Sequence, residues 1–405
     1  MDAVDPSEKP GQMTFPPDTN PTVTDAEEFR TSFGETLDHA LDLKTWHRGE
    51  DLATLYSRLE QEIVEAVKQE DELRERVRKD IFPRLEVRPG APKGAGVFRA
   101  TIAEIEKTHR GLLFNGQVEA CDGTCVPFDT LPVTIVQIGV CAVSYRGDQG
   151  SWVHRLYRRD LHLEGTDTIT ETIDILERRS KRSGYDGSSR KDKLSDLAKR
   201  GVMTFAERLV LMHMCEARWR MGHGNPTPYE LLTGSGMKEL LDKSIPILTD
   251  LVDYGRFVFV PSSADRLSLT IGNALRPLEY AIIDTLEDSI LRLAETGKYW
   301  PGYAERVEKF GHEHGKHIVK GAFRASELAP VQMFYAHVDH AHEAALIALA
   351  DSVLQDDRGF PMLIDLADTL CRTTFGRETL VAPTQAAYAE AGEPFRYMTE
   401  RQSRR

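Results

Sequence analysis

The hydrophobic positions of residues 113–163 recur with the period of β-strands. Val118 and Ala120 are two residues apart, as on the buried face of a strand. Residues 134–143 are almost continuously apolar and β-branched, which is typical of a central strand buried on both faces. Residues 151–162 alternate apolar side chains with arginines, which suits an outer strand. The pattern therefore predicts three consecutive strands.

Residues 50–85 follow the period of an amphipathic helix instead. Their apolar residues recur every three or four positions, at Leu52, Leu55, Leu59, Ile63 and Val67. Pro83 predicts the end of this helix, because proline lacks the amide hydrogen that the helix needs. The apolar stripe either packs on its own domain or binds a partner.

The rest of the chain alternates further helices and strands. Helical patterns are predicted at 168–178, 203–221, 237–252, 275–296, 341–354 and 361–372. Strands are predicted at 229–236, 256–261 and 332–338. Strands interleaved with helices indicate an α/β protein, with a mixed sheet flanked by helices.

The charge balance bears on nucleic-acid binding. The chain has 405 residues and a formal net charge of −13, which argues against a protein that coats nucleic acid non-specifically. A local basic segment consists of Arg178, Arg179, Lys181, Arg182, Arg190 and Lys191. This segment is either a solvated loop or a loop that contacts DNA phosphates, for which lysine and arginine are the usual donors.

Other compositional features predict a soluble cytoplasmic protein. No apolar run approaches the roughly 20 residues that cross a bilayer. Residues 1–24 lack the basic start and apolar centre of a secretion signal, and we interpret them as a disordered arm. The five cysteines do not form paired CxxC sets, so buried free thiols are expected.

Three carboxylates stand out as candidate catalytic residues and metal ligands. Asp122 follows the first predicted strand, Glu216 lies in the helix 203–221, and Asp368 lies in the helix 361–372. Carboxylates that meet at strand ends bind Mg²⁺ or Mn²⁺, which prefer oxygen ligands. Taken singly, each acid also fits a structural role, such as capping a turn or pairing with an arginine.

The order of these motifs resembles the NurA nuclease family. An Asp-Gly-Thr sequence follows a strand, and a helix with a glutamate comes next. The sequence Leu-Leu-Thr-Gly-Ser and a late Gly-Phe-Pro-Met-Leu helix that carries Ala367 and Asp368 complete the set. The resemblance spans roughly residues 113–372.

The resemblance implies a fold, an activity and partners. Members of the family have an RNase-H-like fold and act as Mn²⁺-dependent DNA endo- and exonucleases. They form dimers and work with the hexameric HerA-type ATPase. For this chain the resemblance thus implies Mn²⁺ or Mg²⁺, DNA, a HerA-type partner and a homodimer, in DNA end processing or defence against phage.

Composition and resemblance together predict four segments. These are a disordered arm at 1–24, an N-terminal helical extension at 25–110, the RNase-H-fold nuclease domain at 111–380 and a C-terminal tail at 381–405.

The family's site residues carry over only in part. Asp122 matches the first metal aspartate, and Glu216 matches the helical glutamate, with Glu207 as its rival. Because these glutamates are nine residues apart in one helix, at most one of them can face the sheet. Thr233 stands where the family has a second aspartate, and Asp368 stands where it often has histidine.

A threonine ligand would weaken a metal site, because its oxygen is neutral. Either Asp368 or Glu230 compensates for Thr233, or the chain cleaves DNA weakly or not at all. In the latter case it is a catalytically inactive NurA-like scaffold subunit of the ATPase complex.

A histidine-rich segment offers a different chemistry. Six of the thirteen histidines are His312, His314, His317, His337, His340 and His342. Histidines interspersed with acids bind zinc or another transition metal in some hydrolases. The segment lacks the HExxH helix pattern, which favours a polar surface with hydrogen-bonded imidazoles over a metal site.

Overall fold

The structure is a computed structural model that describes residues 26–46, 52–130, 133–158, 196–297 and 301–397. The predicted arm at 1–24, the predicted helix at 168–178 and all six residues of the basic segment lie outside these ranges. None of the described helices combines the length and the apolar composition that crossing a bilayer requires. The chain divides into two compact units, 1–71 and 72–405.

The first unit contains helices among its described residues. They are α1 (Ala26–Phe33), α2 (Leu37–Leu41), a short 3₁₀ turn (Leu43–Thr45) and the first part of α3 (Leu52–Asp80). The apolar stripe predicted on α3 is exposed, since Leu59, Ile63 and Val67 are each more than half accessible to solvent.

A nine-stranded sheet forms the centre of the second unit. Its strands are β1 (Gly96–Arg99), β2 (Val118–Asp129), β3 (Thr134–Ser144), β4 (Gly147–Arg158), β5 (Trp219–His223), β6 (Phe257–Val260), β7 (Glu279–Thr285), β8 (Ile318–Phe323) and β9 (Gln332–His337). Their order across the sheet is β1-β7-β8-β9-β6-β5-β2-β3-β4. The first strand lies within the predicted helical extension and pairs with β7.

Five neighbouring strands have the RNase-H-like arrangement. Strands β2, β5 and β6 are parallel, whereas β3 runs antiparallel to both β2 and β4. The order β4-β3-β2-β5-β6 with this polarity confirms the predicted fold class. The predicted strands at 256–261 and 332–338 are confirmed as β6 and β9.

Helices cover both faces of the sheet. Besides α1 to α3, the described helices are α4 (Phe82–Val87), α5 (Ile102–Thr108), α6 (Asp196–His213), α7 (Tyr229–Leu232), α8 (Lys238–Tyr254), α9 (Arg266–Asn273), α10 (Glu287–Thr296), α11 (Tyr303–His314), α12 (Ala341–Ser352), α13 (Met362–Phe375) and α14 (Glu378–Glu390). Ala120 packs in the cluster that includes α12 and α13, and Cys121 packs in the cluster that includes α6 and α8. This alternation along β2 buries the sheet on both sides, which explains the nearly continuous apolar sequence of β3.

Three predicted elements are wrong. The helix predicted at 275–296 is strand β7 followed by α10, and the helix predicted at 203–221 stops at His213, before β5. The strand predicted at 229–236 is α7 followed by a 3₁₀ turn. Short, fully buried strands lack the alternation that distinguishes a strand from a helix.

Strand β2 also extends further than predicted. It continues through Asp122 to Asp129, because β3 pairs with it along this whole length. On its other edge, the pairing with β5 ends at Cys121 and Gly222. Asp122 is therefore the first residue beyond that paired segment, at the end of the sheet where β5 stops.

Candidate active site

A cavity of about 1050 Å³ opens where β5 ends. In α/β sheets, ligands bind in crevices at the carboxyl ends of parallel strands, and this cavity lies at such an end. Six carboxylates line it: Asp122, Glu207, Glu230, Asp357, Asp365 and Asp368. Five basic side chains line it too: Arg200, Arg208, His223, Arg358 and Arg372.

Asp122 is held between its own strand and the end of β5. Its Oδ1 accepts a hydrogen bond from the backbone N–H of Gly123 at 2.9 Å, and its Oδ2 lies 3.5 Å from Nδ1 of His223. The carboxyl group is almost fully buried. Its contact with His223 raises the pKa of that histidine, because a nearby negative charge favours the imidazolium form.

Glu207 reaches the same cavity from α6. Its side chain is 5% exposed, and burial raises its pKa to about 7, with the charge of Asp122 acting in the same direction. Gly123 makes room for it, since a Cβ at that position would lie 2.5 Å from Oε1 of Glu207. Any larger residue at Gly123 would displace the glutamate.

Arg208 fixes Glu207 in place. Its Nη1 donates to Oε2 of Glu207 at 2.9 Å, and its Nη2 donates to the carbonyl of Asn225 at 2.5 Å. The guanidinium also stacks on the ring of Phe259, 4.6 Å from its centroid. This buried cation therefore couples the helix that carries Glu207 to the loop that follows β5.

Helix α13 contributes the carboxylates of the outer wall. Asp368 pairs with Arg372 one turn later, and Asp365 pairs with Arg358 and accepts a hydrogen bond from Gln355 at 2.7 Å. Both aspartates face the cavity. Asp368, which the sequence predicts near Asp122, lines the same cavity, and its role as a ligand stays a prediction. Asp365, which the sequence analysis does not single out, lines the cavity as well.

Glu216 lies outside the cavity. Because α6 ends at His213, the residue follows the helix, and its side chain is exposed. Its backbone N–H donates to Oε2 of Glu119 at 2.8 Å. Of the two glutamates compared in the sequence, Glu207 is the one that faces the cavity with Asp122.

Thr233 is not at a strand end. It caps α7 and is fully buried, and its hydroxyl donates to the carbonyl of Tyr229 at 2.8 Å. Thr233 is absent from the cavity wall as the structure describes it. Glu230 does line the cavity, where it lies 3.5 Å from Arg200.

Sequence reasoning missed His223, which occupies the end of β5. The apolar residues Trp219 and Met221, followed by Gly224 and Pro226, were a usable strand-then-turn signal. The helical pattern of the preceding residues obscured it, so the helix was predicted to continue through β5.

The histidine-rich segment lies beside the inner strands β8 and β9, and its histidines are not among the residues that line the cavity as the structure describes it. His317 and His337 stack with ring centroids 5.7 Å apart, and His340 lies 6.2 Å from His337. Nδ1 of His337 accepts the backbone N–H of Asp339 at 3.2 Å, and burial lowers the pKa of His337. These contacts match the hydrogen-bonded imidazoles considered from the sequence.

Among the described residues, no group of three or more histidine, cysteine, aspartate or glutamate side chains is arranged to hold a metal ion. An ion bound to this part of the chain would therefore take only one or two protein ligands in the present arrangement, or would draw in a further side chain.

Comparisons with known proteins concern the fold. The chain is similar in structure to NurA nucleases. The NurA nuclease from Sulfolobus solfataricus shares 11% identity, over 82% of this chain and 98% of that one, with a TM-score of 0.41. A NurA structure with manganese shares 11% identity, over 78% and 97%, with a TM-score of 0.37.

Endonuclease V is a more distant match. The Ciona intestinalis enzyme in complex with DNA shares 10% identity, over 64% of this chain and 84% of that one, with a TM-score of 0.24. No family model and no curated protein matches the sequence.

Proposed function

We propose that this chain is a metal-dependent nuclease that acts on DNA, with Asp122 and Glu207 as its metal ligands. One observation carries the proposal: the two buried carboxylates, one from β2 and one from α6, line a single cavity at the carboxyl edge of an RNase-H-like sheet. Arg208 compensates the charge of Glu207 in part, and the remaining negative charge of the pair is costly to bury unless a further cation binds.

The donor chemistry fits Mg²⁺ or Mn²⁺. These hard cations take oxygen ligands, and Mg²⁺ is usually bound by one or two carboxylates together with water and substrate phosphates. Two protein carboxylates therefore suffice.

The other cavity residues fit a phosphodiester substrate. Arg200, Arg358 and Arg372 have side chains that are 58–68% exposed, and the guanidinium group matches phosphate geometry. When bound, the divalent ion supplies a Lewis acid and an activated water for phosphodiester hydrolysis. Asp368 is a further candidate ligand or acid beside this site.

The proposal also covers how DNA reaches the cavity. A net charge of −13 disfavours binding of free DNA, so a HerA-type hexameric ATPase would feed the substrate to the nuclease. Arg178, Arg179, Lys181, Arg182, Arg190 and Lys191 would contact its phosphates. The chain would work as a homodimer in DNA end processing or phage defence.

The scaffold alternative loses its main support. It depended on Thr233 as a substitute for a ligand, but that side chain is buried and hydrogen-bonded to Tyr229 rather than facing the cavity. The last residue of β5, His223, lines the cavity instead.

The test is cleavage of linear and circular DNA with Mn²⁺, with and without a HerA-type ATPase. Asp122→Ala and Glu207→Gln are expected to abolish cleavage, because each removes a proposed ligand. Glu216→Gln is the matched control on the same segment and should keep it. No cleavage by the wild-type chain under any condition, or loss in Glu216→Gln but not in Glu207→Gln, would contradict the proposal.

A further inference from the structure

His223 is the last residue of β5, and its imidazole opens into the cavity. The side chain is 35% exposed, and its ring meets the ring of Phe360 edge-on, with the centroids 5.8 Å apart. Its Nδ1 lies 3.5 Å from Oδ2 of Asp122. Phe360 and the strand end thus hold the ring next to a buried carboxylate oxygen.

The separation of these two atoms matches two neighbouring ligands of one ion. Two ligand atoms with bonds of about 2.1 Å lie about 3.0–3.5 Å apart when they subtend an angle of about 90–113°. His223 Nδ1 and Asp122 Oδ2 fall at the upper end of that range. Little movement is needed for both atoms to bind the same cation.

Two carboxylates of the cavity already have arginine partners. Glu207 pairs with Arg208, and Asp365 pairs with Arg358. A neutral imidazole can bind a cation beside Asp122 without adding another negative charge to the site.

We propose that His223 is a nitrogen ligand of the divalent ion that Asp122 binds. The inference rests on the proposed nuclease function and goes beyond it by assigning a ligand type. Imidazole suits Mn²⁺, Co²⁺ and Ni²⁺ better than Mg²⁺, which strongly prefers oxygen. The chain should therefore select the transition-metal ions over Mg²⁺ through this one residue.

The experiment is pulsed electron paramagnetic resonance of the full chain loaded with Mn²⁺ alone, without DNA. Nitrogen bound directly to the ion gives a ¹⁴N modulation, which we expect in the wild type and not in His223→Ala. The matched control is His154→Ala, an exposed histidine on β4, which should retain the modulation. Mn²⁺ affinity in His223→Ala should fall by at least the roughly tenfold that loss of an outer-shell partner causes.

His223→Asp tests the ligand type separately. We expect it to increase the affinity for Mg²⁺ and to reduce the ratio of Mn²⁺ affinity to Mg²⁺ affinity, both measured by calorimetric titration with each ion. If His223→Ala does not fold, the wild-type spectrum and His223→Asp still decide the question.

Three results would overturn the inference. Mn²⁺ bound by the wild type without nitrogen modulation would exclude His223 as a ligand and leave the proposed nuclease standing. Modulation that persists in His223→Ala would assign the nitrogen to another residue. A wild-type chain that binds no Mn²⁺ and cleaves no DNA would overturn this inference and the proposed function together.

Discussion

Asp351 links helix α12 to helix α13, which forms the outer wall of the cavity. It lies near the end of α12 and is fully buried. Its Oδ2 accepts the backbone N–H of Leu363, in the first turn of α13, at 2.8 Å, and its Oδ1 accepts the hydroxyl of Tyr145. Burial raises the pKa of Asp351 to about 6.

We predict that the free energy of unfolding of Asp351→Asn, minus that of the wild type, is larger at neutral pH than at acidic pH. The amide oxygen can accept the Leu363 N–H, and the amide nitrogen can donate to Tyr145, so both hydrogen bonds persist without a buried charge. In the unfolded chain the pKa of an aspartate is about 3.9. Because the folded pKa is higher, the wild type loses stability as pH rises from about 4 to about 6.

The two pKa values set the size of the effect. Full ionisation costs about 3 kcal/mol, and about 1.4 kcal/mol of this develops between about pH 5 and about pH 7.5. The free energy of unfolding of Asp351→Asn, minus that of the wild type, should rise by about 1.4 kcal/mol over this interval. Taking this difference cancels every other titrating group that the two proteins share.

Urea titrations of both proteins at these two pH values provide the measurement. Asp356→Asn is the control, because it makes the same substitution at an exposed aspartate five residues away, and its difference from the wild type is measured at the same two pH values. A difference for Asp351→Asn that does not change with pH would refute the reasoning, since it would show that Asp351 does not titrate in this range.

Three other variants test the cavity. Gly123→Ala places a methyl group 2.5 Å from Oε1 of Glu207, and we expect it to lower Mn²⁺-dependent cleavage by about 100-fold, with far-UV circular dichroism unchanged. Arg208→Met removes the partner of the buried Glu207 and should destabilise the fold by about 3–5 kcal/mol above the Glu207 pKa and by less below it, as measured by urea unfolding. Thr233→Asp restores the carboxylate that the family pattern contains. It should destabilise the protein without raising cleavage, because this position is buried away from the cavity. Increased cleavage would contradict the placement of Thr233.

Local patterns were sufficient for much of the sheet. The strands β2, β3, β4, β6 and β9 follow from runs of apolar or alternating residues, since burial on one or both faces is imprinted on neighbouring positions. The sequence also singles out Asp122, which lines the cavity although β2 continues past it, and its role as a metal ligand stays a prediction. The spacing of Glu207 and Glu216 showed that only one of them can face the sheet, and that is the case.

Which glutamate faces the sheet was decided by pairing between distant strands. Strand β5 has only five residues, too few for the alternation of Trp219 and Met221 to stand out from the helical pattern before it, and β2 and β6 hydrogen-bond to it from both sides. That pairing ends α6 at His213, leaves Glu216 in solvent and brings His223 beside Asp122. The sequence by itself therefore determined the strands whose buried positions recur at short intervals, and it singled out Asp122 as a candidate site residue. Only the tertiary structure decided the companions of Asp122, because they depend on hydrogen bonds between residues about a hundred positions apart.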